Sequence, residues 1–276
     1  MTDYRLVRMY HPSLRVPDLR AAERFLSEVF GRRSTPLSTL SPSLDYSLFT
    51  PIADVLFDCI DPRRYRVDGE LQYSAVDRPV LDGFGWYVDG IAPLFESLRE
   101  HGFSVVDQRG AIAEAMPKAF GSSMPLFFTT PESAGLRYEF VPEMPFPLDH
   151  RLAEGWTLPE PSAEDPLGIV RCAGHVVRTS DPRRAERLFV DALGGTVVDR
   201  DRDLSVEVGG STVVFETADV GPADMYHSLV WEVVDLDRVR RHLATCGVGV
   251  AHDAGGVVTA DPATALGVPW RFVEQA

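Results

Sequence analysis

An internal repeat constrains this chain more than any other feature. The segment Asp18 to Gly31 reads Asp-Leu-Arg-Ala-Ala-Glu-Arg-Phe and onward. The segment Asp181 to Gly194 reads Asp-Pro-Arg-Arg-Ala-Glu-Arg-Leu and onward. Six of these fourteen aligned positions are identical. Further on, Trp86-Tyr-Val-Asp-Gly-Ile is echoed by Trp231-Glu-Val-Val-Asp-Leu, and Tyr138-Glu-Phe-Val by Trp270-Arg-Phe-Val. A chain of 276 residues that repeats itself once is read as two copies of one domain. The division falls in a stretch from Pro142 to Gly168 that holds six prolines and keeps no period of 2 or 3.6. Proline fixes φ and removes a ladder donor, so this stretch reads as a semi-rigid linker. We place an N-terminal domain at 1–145, the linker at 146–167 and a C-terminal domain at 168–276.

Each half shows the same local pattern. Asp18 stands as an N-cap, and Leu19, Ala22, Phe25, Leu26, Val29 and Phe30 follow at helical spacing until Gly31. Asp181 opens the matching helix, with Ala185, Leu188, Phe189, Ala192 and Leu193 on its apolar face. Shorter helices are predicted from Ile91 to Gly102 and from Leu236 to Gly247. Strand-like runs precede the four helices, at 10–16, 84–88, 175–179 and 228–233. Residues 204–216 form a hairpin around Gly209-Gly210, with a counterpart at 46–49 and 54–60. The fold class is α+β, strand–helix–strands four times over.

Charge narrows the function. Lys plus Arg is 27 and Asp plus Glu is 41, a net charge of 27 − 41 = −14. Such a chain repels phosphate backbones and anionic membranes, so neither nucleic acid nor membrane is expected as a partner. The three scattered cysteines, Cys59, Cys172 and Cys246, suggest no disulfide framework. No signal peptide or apolar span is legible, and a cytoplasmic location is expected. No GxGxxG, P-loop or GxSxG motif occurs.

The strand–helix–strands organisation, with His11-Pro-Ser-Leu-Arg-Val-Pro-Asp-Leu and Leu136-Arg-Tyr-Glu-Phe-Val, resembles the vicinal oxygen chelate superfamily. That superfamily includes glyoxalase I, extradiol dioxygenases, methylmalonyl-CoA epimerase and bleomycin-resistance proteins. The resemblance implies tandem domains, each of two βαβββ modules curled into a half-open mixed barrel. It also implies metal ligands on inward positions of strands one, four, five and eight. In the first half these fall on His11, Asp58, Gly83 and Glu139, so one ligand is missing. Glu139 takes the catalytic role as well. Inward parity places Arg15 beside His11 and Arg137 beside Glu139, which points to an anionic substrate. In the second half the same positions are Gly174, Glu216, Ser228 and Arg271. His175 and His227 stand one residue out of register and read as core or strand-entry residues. Arg271 could pair with Glu216 or bind an anion, so any metal is expected only in the first half. Trp86 and Trp231 share the helix-packing parity and are expected in the core.

Two functions of different class follow from the resemblance. One is a glyoxalase-like isomerase, lyase or epimerase assisted by a divalent metal (Fe, Mn, Zn, Ni or Co) held by His11, Glu139 and Asp58. A dioxygenase would need a histidine near position 83. The other is a metal-free protein that binds or sequesters a small molecule, as bleomycin-resistance proteins do. Pairing into a homodimer is left open.

Overall fold

The structure is a computed structural model and describes residues 3–67, 69–118 and 125–275. Among these residues, the first half contributes β1 (Arg5–Arg15), α1 (Leu19–Glu28), β2 (Thr35–Pro36), β3 (Ser47–Ile52), β4 (Val55–Ile60), β5 (Arg66–Val67), β6 (Glu70–Leu71), β7 (Val80–Asp89), α2 (Ile91–Glu100), β8 (Val105–Val106), β9 (Phe127–Thr129), α3 (Pro131–Ala134) and β10 (Glu139–Pro142). The second half contributes β11 (Ile169–Thr179), α4 (Pro182–Glu186), β12 (Thr196–Asp199), β13 (Leu204–Val208), β14 (Ser211–Thr217), β15 (Met225–Val233), α5 (Leu236–Thr245), β16 (Val250–Ala254), β17 (Val257–Ala260) and β18 (Arg271–Glu274).

The repeat seen in the sequence reappears as strand order. One eight-stranded sheet runs β2-β3-β4-β1-β7-β10-β9-β8, and the other runs β12-β13-β14-β11-β15-β18-β17-β16. The second order is the first with each strand replaced by its repeat partner. Both sheets are mixed: β1 with β4 and β7 with β10 are parallel, while β3 with β4 and β9 with β10 are antiparallel. The expected hairpin at 204–216 is present, with Val208 opposite Ser211 across the two glycines. Its counterpart, β3 to β4, turns at Ala53, which adopts a left-handed φ of 50°. This is the α+β tandem architecture that the sequence reading expects.

Compactness groups the chain along other lines than the linear repeat. One unit comprises Met1–Pro12, Asp82–Met144 and His175–His227; the other comprises Ser13–Leu81, Pro145–Gly174 and Ser228–Ala276. Each unit thus combines pieces of both sequence halves.

In the first unit the core is aromatic. Trp86 stacks on Phe140 at 5.8 Å, and Phe189 meets the edges of Trp86, Tyr138 and Phe215 at 5.8, 5.2 and 4.8 Å. Phe189 arrives on a helix that departs from its repeat partner. Asp181 caps α4 by accepting from the Arg184 amide at 3.0 Å, but after Glu186 the chain winds as a π turn over Arg187–Ala192. Leu188, Phe189 and Ala192 are the buried residues of that turn.

In the second unit α1 behaves as the sequence predicts. The Asp18 carboxylate accepts from the Arg20 and Ala21 amides at 2.8 and 3.2 Å, and Ala22 and Leu26 are buried. Phe30 then sits against Trp270 at 5.1 Å and Trp231 at 6.0 Å. Trp86 and Trp231 are both fully buried, as their parity implies. The proline-rich linker packs closely in this unit. Phe146 meets Phe49 edge-on at 5.2 Å and joins Leu148 against Leu37 and Leu56. Asp149 and Arg151 form an ion pair of 2.7 Å with both side chains essentially sealed from solvent. Arg151 also donates to the Asp54 carbonyl at 2.7 Å. No helix among the described residues is long and apolar enough to cross a membrane.

Candidate functional site

His11 and Glu139 come together in the first unit. The separation between His11 Nε2 and Glu139 Oε2 is 3.6 Å, with side chains 6 % and 18 % exposed. Strand alternation explains the placement. Tyr138 and Phe140 point into the core and are fully buried, which turns Glu139 to the other face of β10. Glu139 pairs with Gly85 on β7 and with Phe128 on β9. His11 stands on β1 with the Tyr10 ring 4.1 Å away, and Tyr10 meets Tyr87 at 4.8 Å.

The Glu139 carboxyl ionises far above its ordinary range. Burial is the main cause; the Arg137 charge acts to lower the value, and the Asp82 charge to raise it. Together they bring it to about 7. Near neutrality the group can therefore both hold and release a proton. Arg137, two residues earlier, lies over the Phe128 ring with its guanidinium carbon 3.8 Å from the centroid.

Gly83, the position where the resemblance expects a ligand, has a steric reason to be glycine. A Cβ there would fall on the Arg137 carbonyl oxygen. At Gly85 a Cβ would stand 2.7 Å from both the Cβ and the carbonyl oxygen of Glu139. Strand β7 therefore runs as bare backbone past Arg137 and Glu139 at these two positions.

The other expected residues have the following surroundings. Asp58 lies in the second unit, buried, opposite Ser13, and accepts a hydrogen bond from the Ser47 hydroxyl. Arg15, in the same unit, is opposite Ile60 and lies 5.7 Å from the Tyr73 ring centroid. Arg271 opens β18 there, opposite Val230 and Thr259. In the first unit Glu216 pairs with Arg178 at 3.4 Å. His175 is a core histidine, as its register implies: it is buried beside Phe84, and its Nδ1 is 2.7 Å from the Tyr226 hydroxyl. Burial drives its pKa down to about 3, so it stays neutral. Among the described residues no three His, Cys, Asp or Glu side chains gather closely enough to hold a metal ion. Sequence reasoning missed Asp82, Phe128 and Tyr10. Asp82 is one residue from the expected ligand position. Tyr10 adjoins His11, and Phe128 becomes relevant only through the pairing of β9 with β10.

No family model matches the chain, and no curated protein does. Solved structures do. The 2,3-dioxygenase LapB from Pseudomonas sp. KL28 superposes with a TM-score of 0.65 at 13 % identity, over 98 % of this chain and 93 % of that one. A Mn(II)-bound glyoxalase from Novosphingobium aromaticivorans gives 0.62 at 13 % identity, over 98 % and 83 %. A catechol 2,3-dioxygenase gives 0.59 at 16 % identity, over 99 % and 89 %. Likeness at such identity speaks to architecture, and it matches the strand order read above. The chain therefore has the tandem vicinal-oxygen-chelate fold.

Proposed function

We propose that the protein is a glyoxalase-like isomerase, lyase or epimerase that acts on a small oxygen-bearing substrate at His11 and Glu139, assisted by a divalent metal. The observation that carries this reading is the 3.6 Å approach of an imidazole nitrogen to a carboxyl oxygen, with both side chains largely buried. His11 and Glu139 stand close enough that both would hold one ion between them. A bound divalent ion would supply charge stabilisation to a developing oxyanion. Glu139 would also take and return the substrate proton at its carboxyl oxygen. Proton transfer is preferred to ring cleavage because the Arg137 carbonyl leaves no room for a histidine at position 83.

The test is metal analysis of purified protein, followed by Mn²⁺ titration calorimetry. Replacing His11 and Glu139 together by alanine should abolish uptake, and Arg271→Ala should leave it intact. Uptake that survives the double replacement would refute this assignment. A metal-free binding protein is the second reading. It is favoured by one observation: no third His, Cys, Asp or Glu joins the pair among the described residues. Wild-type protein that takes up no divalent ion, yet binds a small ligand, would decide for it.

A further inference from the structure

We propose that Cys246 and His242, at the C-terminal end of α5, form a metal site separate from the His11–Glu139 pair, one for a thiophilic divalent ion such as Zn²⁺, Cd²⁺ or Co²⁺. The two residues stand four apart along the helix and so share one face. The Cys246 sulfur is 3.5 Å from His242 Nε2 and 4.0 Å from Nδ1. Nε2 also lies 2.9 Å from the Val29 carbonyl oxygen. A carbonyl oxygen only accepts, so Nε2 carries the ring hydrogen and the neutral imidazole keeps its lone pair on Nδ1. Metal-binding histidines commonly have this support: one nitrogen is tied to a backbone oxygen and the other is left to ligate. Cys246 is the C-cap of α5 and only half-buried, so its thiol is within reach of solvent.

The surroundings favour a cation. Helix α1 ends against this pair: the Glu28 carbonyl oxygen is 3.5 Å from the sulfur, and the Val29 carbonyl is the one bonded to His242. The C-terminus of a helix carries partial negative charge, and here the ends of two ten-residue helices meet. No basic residue stands in the last turn of α1 to offset that charge. Burial, together with the Glu28 charge, holds the Cys246 thiol above its ordinary range, so the sulfur carries its proton at neutral pH. An entering ion takes the place of that proton. One divalent ion bonds to the sulfur and to Nδ1, the S–H bond breaks, and the proton passes to the buffer. Two side chains supply the protein ligands, and water fills the remaining positions. Mn²⁺, which prefers oxygen ligands, fits this donor set poorly.

The experiment is a titration of Co²⁺ into the full chain, followed by absorption in the presence of a phosphine reductant. A thiolate-to-cobalt charge-transfer band should grow in the near ultraviolet and saturate at one equivalent. Cys246→Ser should remove the band, and His242→Gln should weaken Co²⁺ binding at this band tenfold or more. His11 and Glu139 offer no sulfur, so the band should persist when His11→Ala is combined with Glu139→Gln, and the two sites are read separately. In the unsubstituted chain, Cd²⁺ should slow alkylation of Cys246 by iodoacetamide tenfold or more, as followed by peptide mapping, while Mn²⁺ should not. A wild type that shows no band, a band that survives Cys246→Ser, or an affinity unchanged in His242→Gln would overturn the proposal.

Discussion

Replacing Glu139 by glutamine should make the metal-free protein more stable, and increasingly so as the pH rises. The carboxyl ionises near 7 in the fold against an ordinary value of 4.5. Between those values the folded chain holds a proton that the unfolded chain has released, so stability falls as pH rises through this window. A gap of that size corresponds to about 3 kcal/mol once both states are ionised. Most of it develops between pH 5 and pH 8. The side chain is 18 % exposed, and water at that edge relieves part of the penalty. We therefore expect the stability difference between Glu139→Gln and wild type to grow by about 2 kcal/mol over that interval. Urea unfolding in a chelating buffer at pH 5, 6, 7 and 8 measures it, and taking the difference cancels the titrations common to both proteins. A difference that is flat, or that shrinks with pH, would show that Glu139 is solvated or paired well enough to ionise normally.

Three further outcomes follow from the packing. Gly83→His should not create a metal ligand: Mn²⁺ affinity should stay at or below the wild-type value while the unfolding midpoint drops. A gain in affinity would mean that β7 can move away from β10. Gly85→Ala should cost more than about 2 kcal/mol through its clash with Glu139. Gly102→Ala, at φ +80° with open space around it, should cost only about 1 kcal/mol in a comparative denaturation series. Equal costs would refute the steric argument. Arg151→Met should lower stability by about 3–5 kcal/mol because it leaves Asp149 buried without its partner. The double replacement Asp149→Leu with Arg151→Met should recover most of that loss, and failure to recover it would assign the effect to lost packing.

Much of this protein was legible from its residues alone, because those signals are local. Asp18 and Asp181 announce helix starts through their own carboxylates. Gly209-Gly210 announces a hairpin through the φ values that only glycine adopts easily. Alternation around Glu139 put Tyr138 and Phe140 in the core and so turned Glu139 to the other face, and the repeat of whole phrases implied two copies of one domain. Other features depend on segments distant in the chain. The π turn that carries Phe189 has no marker in a segment that otherwise matches Asp18 to Gly31. The linker's prolines showed where regular structure stops, but not that Asp149 and Arg151 would be buried there as a pair. Gly83 looked like a lost ligand until the Arg137 carbonyl was found where its side chain would stand. The raised ionisation of Glu139 likewise depends on burial, which is a property of the assembled strands rather than of the residue. Local backbone preference and side-chain parity are written into neighbouring residues. Desolvation, close approach and charge proximity arise only when remote strands are brought side by side.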